Sequence, residues 1–124
     1  MQAACWKKTY RLMEKLLRGI QHESAQDLEK FGISSEIYVE IKDELARSGE
    51  LISHLALPPY DLAFVADATG RIPFDIFDTG FGSESFRVAC QLWSHEKKTD
   101  LTLIADLSLM LDEPHLAFRL LETQ

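Results

Sequence analysis

The feature that most constrains this fold is a change of hydrophobic period at Pro58-Pro59. Before that pair, apolar residues recur at spacings of three and four; after it, they recur at every second residue. The first spacing lines one side of a helix, and the second lines one side of a strand. A chain written this way has to lay helices against a sheet.

In CWKKTYRLMEKLLRGI, the residues Trp6, Tyr10, Met13, Leu17 and Ile20 form one apolar helical stripe, with Lys7, Lys8, Arg11, Lys15 and Arg18 opposite. Gly19 is expected to weaken the end of this helix. A short helical piece over 25–31 follows, closed by Gly32. Ser34 or Ser35 then caps a helix in SSEIYVEIKDELARSG that stops at Gly49. Its buried row is Ile37, Ile41 and Leu45. Glu36, Glu40, Asp43 and Glu44 line the other side as a nearly continuous carboxylate stripe.

Beyond the prolines, LAFVAD-ATG-RIPFDIFD reads as a β-hairpin turning at Gly70. Pairing Asp67 with Arg71 puts Leu62, Phe64, Ala66, Ile72, Phe74 and Ile76 on one face. Pro73 marks an edge strand or a bulge. Phe86, Val88, Cys90 and Leu92 alternate on the next strand. Leu101, Leu103, Ala105, Leu107 and Leu109 do so on its partner, across a hairpin at SHEKKT. Leu116, Phe118 and Leu120 follow on a last strand. Arg87, Gln91, Trp93, Thr102, Asp106, Ser108 and Arg119 take the outward positions. The expectation is an α+β fold, with two to three N-terminal helices packed on one face of a four- to five-stranded antiparallel meander sheet. It is a single domain over 1–124, with a helical part over 4–49 and a sheet part over 60–123.

Charge narrows the function classes. The net charge is -7, yet residues 1–20 hold five bases against one acid, so the rest of the chain is strongly acidic. Such a body repels phosphate backbones and favours a basic protein partner over nucleic acid. No stretch has the length of a membrane span, and the early Lys7, Lys8 and Arg11 are unlike a secretion signal. Cys5 and Cys90 lack metal-ligand spacing and fit reduced thiols in a cytoplasmic protein.

Individual motifs carry little chemistry. Asp78-Thr79-Gly80 matches the catalytic triplet of aspartic proteases, in which two such loops share a proton. Here it runs into Phe81-Gly82-Ser83-Glu84, and no later glycine braces it. Turn chemistry at Asp78, Gly80 and Gly82 accounts for it. Asp67, Asp75 and Asp78 do not form a metal site. Asp75 and Asp78 project to opposite faces, and Asp75, facing Ala63, lies roughly 13 Å from Asp67. His22, His54, His95 and His115 form no ligand motif, although one of them beside Asp106 or Asp100 would make an acid–base pair. Cys90 is a core residue. Asp106 and Arg119 make a cross-strand ion pair if the turn at 111–114 is four residues long.

Leu92-Trp93 and Asp100-Leu101, within FRVACQLWSHEKKTDLTLIADLSLML, resemble the paired C-terminal strands of small bacterial domains, some with a cone-shaped fold like that of nuclear transport factor two. In size, acidity and layout over 5–122, the chain resembles small bacterial immunity proteins that neutralise a cognate toxin. The resemblance implies a non-enzymatic cytoplasmic protein without cofactor or metal. Its partner would be a cognate toxin, and the carboxylate stripe Glu36, Glu40, Asp43 and Glu44 is the docking face that charge leads one to expect for a basic one. Two alternatives remain open. One is a small enzyme or ligand-binding domain using Asp106, Arg119 or a histidine in a pocket between helices and sheet. The other is a homodimer joined through the outward face around Trp93 and Arg87.

Overall fold

The computed structural model describes residues 3–80, 85–111 and 113–123. Helices α1 (Ala3–His22), α2 (Ala25–Lys30) and α3 (Ser35–Ser48) lead into a 3₁₀ turn (Ile52–His54), strand β1 (Leu55–Ala56) and a one-turn helix α4 (Tyr60–Ala63). Strands β2 (Phe74–Asp78), β3 (Ser85–Ser94), β4 (Lys97–Met110) and β5 (Glu113–Thr123) complete one curled antiparallel sheet. Its order is β1-β3-β4-β5, and β2 shares with β1 the free side of β3. The α+β expectation holds, with the helices on one face.

Helix α1 runs through Gly19 rather than fraying there. Gly19 is buried, and a Cβ at that position would stand 2.8 Å from the Asp27 Cβ. The glycine is what lets α2 fold back closely on α1. Ser24 caps α2, and Ser34 Oγ caps α3 by accepting from the Ile37 N–H at 3.2 Å. Gly49, at φ +76°, ends α3 in the left-handed conformation that favours glycine. Phe31, at the end of α2, is buried, and its carbonyl accepts from the Phe118 N–H on β5 at 2.8 Å. That bond ties the helical layer to the edge of the sheet.

Tyr10, Met13, Leu16, Leu17 and Ile20 of α1 meet Phe74, Val88, Cys90, Leu92, Leu101, Leu103, Ala105 and Leu107 in one core. Ile41 and Leu45 of α3 join it, while Ile37 is only partly buried. Fully burying a side chain such as Leu16 or Leu103 contributes roughly 1.5–3 kcal/mol. The space between helices and sheet is therefore occupied by side chains, and α1 and α3 both pack on β5.

Three expectations for the sheet are corrected. The hairpin over LAFVAD-ATG-RIPFDIFD has only its second arm. Residues 60–63 are helical, and β2 pairs with β3, so Asp75 faces Ala89, not Ala63. The aromatic cluster explains the difference. One helical turn after Pro59 swings Phe64 onto Trp6 (5.5 Å, stacked) and Phe74 (5.1 Å), and Tyr60 onto Tyr10 (5.1 Å). An extended strand would point Phe64 and Leu62 the same way; here Leu62 is exposed. The Asp67–Gly70–Arg71 turn itself forms, with the Asp67 N–H donating to the Arg71 carbonyl at 2.8 Å.

The second correction is on β5. Ile104 pairs with Leu120 but Ala105 with Phe118, a β-bulge that sets Arg119 as the extra residue. The bulge flips the alternation, so Leu121 is buried and Leu120, expected inside, is 44% exposed. The β3–β4 hairpin is tighter than the six residues SHEKKT suggest. Ser94 pairs with Lys97, and His95 and Glu96 both have positive φ, 49° and 67°, a two-residue type I′ turn.

Candidate interaction face

Helix α3 builds the face expected from the sequence. Ser34 sets its start, Ile41 and Leu45 face the core, and the helical period turns Glu36, Glu40 and Asp43 to solvent. Glu36 and Glu40 make no ion pair or hydrogen bond among the described residues. Asp43 is close enough to Arg47 to favour its charged form.

Glu44 does not belong with them. Its side chain is 18% exposed, held by Arg47 Nη2 at 2.9 Å and by the Thr123 hydroxyl at 3.0 Å. The Arg47 hydrogen bond, then that of Thr123, lowers its pKa. Glu44 thus ties α3 to β5. Lys42, although exposed, is engaged away from these acids, with its Nζ 3.6 Å from Glu23 and over the Tyr38 ring. The three remaining carboxylates are left without a full counter-charge on their own helix.

A shallow groove of about 70 Å³ runs beside this face, between α3 and the bulged part of β5. Ile37, Glu40, Phe118, Arg119 and Leu120 line it. The exposed Leu120 gives the acidic surface an apolar neighbour that the alternation of the sequence hid. No signal in a single chain marks a bulge without a glycine or proline, so this part of the face was not legible.

The rival chemistries take other forms. Asp78 Oδ1 accepts from the Gly80 N–H at 2.7 Å, and the Thr79 hydroxyl and N–H both donate to the Ser85 carbonyl. That is a self-satisfied turn with an exposed carboxylate, consistent with the turn reading of Asp78-Thr79-Gly80. The continuation Phe81-Gly82-Ser83-Glu84, including the turn role given to Gly82, lies outside the described residues.

Asp67 is a clamp. Its carboxylate accepts from the Thr69 N–H and hydroxyl, from the Arg71 N–H, and from Lys98 Nζ at 2.8 Å. The Lys98 ammonium, then the Thr69 hydroxyl, hold it well below the usual carboxylate range. Among the described residues no group of three acidic, histidine or cysteine side chains has metal-binding geometry. Burial pushes the Cys90 thiol up, away from nucleophilic chemistry.

Asp106 and Arg119 do pair, at 3.2 Å, but diagonally, because Asp106 sits opposite Ala117. Met110 pairs with Glu113, so the strand pairing extends into the four residues, 111–114, expected as the turn. Asp112 lies outside the described residues. Arg87 holds the other Asp106 oxygen at 3.2 Å. Arg87 and Asp106 project from the sheet face away from the helices, since Val88, Ala105 and Leu107 take the inner positions, and Arg119 reaches Asp106 from the bulge on β5. Asp106 thus does not lie in a pocket between helices and sheet. The rings of His54 and His95 meet at 4.3 Å, tilted by 55°, near the β3–β4 turn, an arrangement with no sequence signal.

Two outward positions are covered. Thr102 is fully buried and Gln91 nearly so, with Arg71 Nη2 donating to Thr102 Oγ1 at 2.8 Å. Trp93, expected as an outward anchor, is half-buried, and its indole N–H is enclosed without a hydrogen-bond partner among the described residues. Comparison with protein-family models, curated proteins and solved structures finds no significant match to this chain.

Proposed function

We propose that this chain is a non-enzymatic binding protein of the immunity type. It occludes a basic toxin domain with the surface of α3, in a reducing cytoplasmic setting. The observation that carries the reading is the trio Glu36, Glu40 and Asp43, exposed on one helical face while Glu44 and Lys42 are engaged elsewhere. Uncompensated like charges on a helix cost a few tenths of a kcal/mol per pair. A partner bearing lysines and arginines removes that cost and is drawn in by the field.

A nuclease-like toxin has such a surface wherever it holds phosphate, and the carboxylates of α3 imitate that anion. The apolar groove at Ile37, Phe118 and Leu120 supplies area for the partner to bury beside the charges. The enzyme alternative placed Asp106, Arg119 or a histidine in a pocket beneath the helices; Asp106 lies on the opposite sheet face, held by Arg87 and Arg119.

The test uses the full chain and its Glu36→Gln/Glu40→Gln/Asp43→Asn variant, each immobilised and exposed to extract of the source cell. The expected result is one basic protein held by the unaltered chain and lost from the variant. That protein should arrest growth when expressed alone and not when co-expressed with the chain. Equal retention by the variant, or growth arrest despite co-expression, contradicts the proposal.

A further inference from the structure

The basic side of α1 does not simply face solvent. Lys8, Arg11, Leu12 and Lys15 form one wall of a groove of about 340 Å³, closed by Lys30 of α2 and by Glu113 and Pro114 at the start of β5. Two of its four cations are neutralised within the chain. Lys8 Nζ lies 3.0 Å from Glu113 Oε1, and Arg11 lies 3.4 Å from Glu14. Lys15 and Lys30 have no carboxylate within ion-pair distance among the described residues.

These two amines stand side by side. Burial, and next the Lys15 ammonium, hold the Lys30 amine below the usual lysine range; Asp27 acts in the opposite direction. Like charges gathered in a recess of a chain of net charge -7 are an unusual arrangement, and an anion between them turns repulsion into attraction.

We propose that this groove binds a small organic phosphate monoester, its phosphate bridging Lys15 and Lys30 and its organic body lying on Leu12 and Pro114. Charge sets the class: two uncompensated ammonium groups match the roughly -1.5 to -2 of a phosphate monoester at neutral pH. Size agrees, since small-molecule sites run to roughly 300–1,000 Å³. Lysine is a compact point charge suited to phosphate, and the apolar floor favours an ester over the bare ion. A long polyanion is disfavoured by the acidic remainder of the chain. The site is independent of the α3 face.

The test is a titration of the isotopically labelled full chain with phenyl phosphate, followed by amide shifts at about 20 mM salt. Saturable shifts at Leu12, Lys15 and Lys30 are expected, with Kd on the order of 1 mM. Lys15→Gln and Lys30→Gln should each weaken binding about tenfold, whereas Lys15→Arg and Lys30→Arg retain most of it. Both glutamine changes are at exposed positions, and an otherwise unchanged spectrum shows that the fold persists.

Four results would overturn the assignment. They are no saturation by about 20 mM ligand, equal affinity in the glutamine variants, inorganic phosphate binding as tightly as the ester, and a hexaglutamate peptide displacing the ester with higher affinity. The last would mark the groove as a surface for acidic peptide instead.

Discussion

Asp67 is the most heavily bonded carboxylate among the described residues, and its work is structural. Its side chain is 14% exposed and gathers three donors from its own turn, plus Lys98 of β4. Because the folded state holds its pKa below the ordinary 3.8, the unfolded chain binds the proton first as pH falls. The stabilisation is complete above about pH 5 and is lost progressively as acid is added. Asp67→Asn should therefore flatten the fall in urea midpoint between about pH 5 and pH 2; parallel curves for variant and unaltered chain would contradict this. The neighbouring Arg71–Thr102 bond reaches a fully buried hydroxyl. Arg71→Ala should cost about 1–3 kcal/mol by leaving that oxygen unpaired, and Thr102→Val in the same background should recover part of it. Urea denaturation of the two single variants and the double variant measures the coupling. Strict additivity would mean the bond contributes nothing. None of this was legible beyond the turn itself. Asp67, Gly70 and Arg71 announce a tight turn, but not that it folds over Gln91 and Thr102, which alternation had left on the outward face.

At the scale of elements, Gly19 separates propensity from packing. By helix propensity alone, Gly19→Ala stabilises an interior helical position by about 1 kcal/mol. The 2.8 Å approach to Asp27 predicts the reverse, a loss of about 1–3 kcal/mol with α2 displaced. A raised Tm would show that the two helices are not so closely set. Removing the α3 cap with Ser34→Ala should cost about 0.5–2 kcal/mol in urea titration, and Ser34→Asp should restore most of it. Helices α1 to α3 and strands β3 to β5 were legible because each is long enough to show its period. Helix α4 is four residues, less than two turns, so its pattern is equally that of a strand. Only the aromatic cluster of Trp6, Tyr10, Tyr60 and Phe74 decides between them. The bulge at Arg119 was hidden for a similar reason. A single inserted residue changes no composition, yet it reverses every later side chain on β5, burying Leu121 and freeing Leu120 beside α3.

For the whole molecule, the distribution of charge matters more than its sum. The acids of α3 face solvent without full compensation, whereas of the four cations in the groove between α1 and α2, Lys8 and Arg11 are neutralised at Glu113 and Glu14 and Lys15 and Lys30 are not. The sequence showed the two stripes, because helical spacing alone puts Glu36, Glu40 and Asp43 together. It did not show that Glu44 leaves the stripe for Thr123, since that partner lies 79 residues away. The central claim is that exposed negative potential on α3 draws in a basic partner. The most direct measurement is the association rate with the captured partner as a function of ionic strength, for the unaltered chain and for Glu36→Gln/Glu40→Gln/Asp43→Asn. The account predicts a rate at least about tenfold slower for the variant at low salt, with a shallower salt dependence and little change in dissociation. Identical rates and slopes for the two proteins would contradict it.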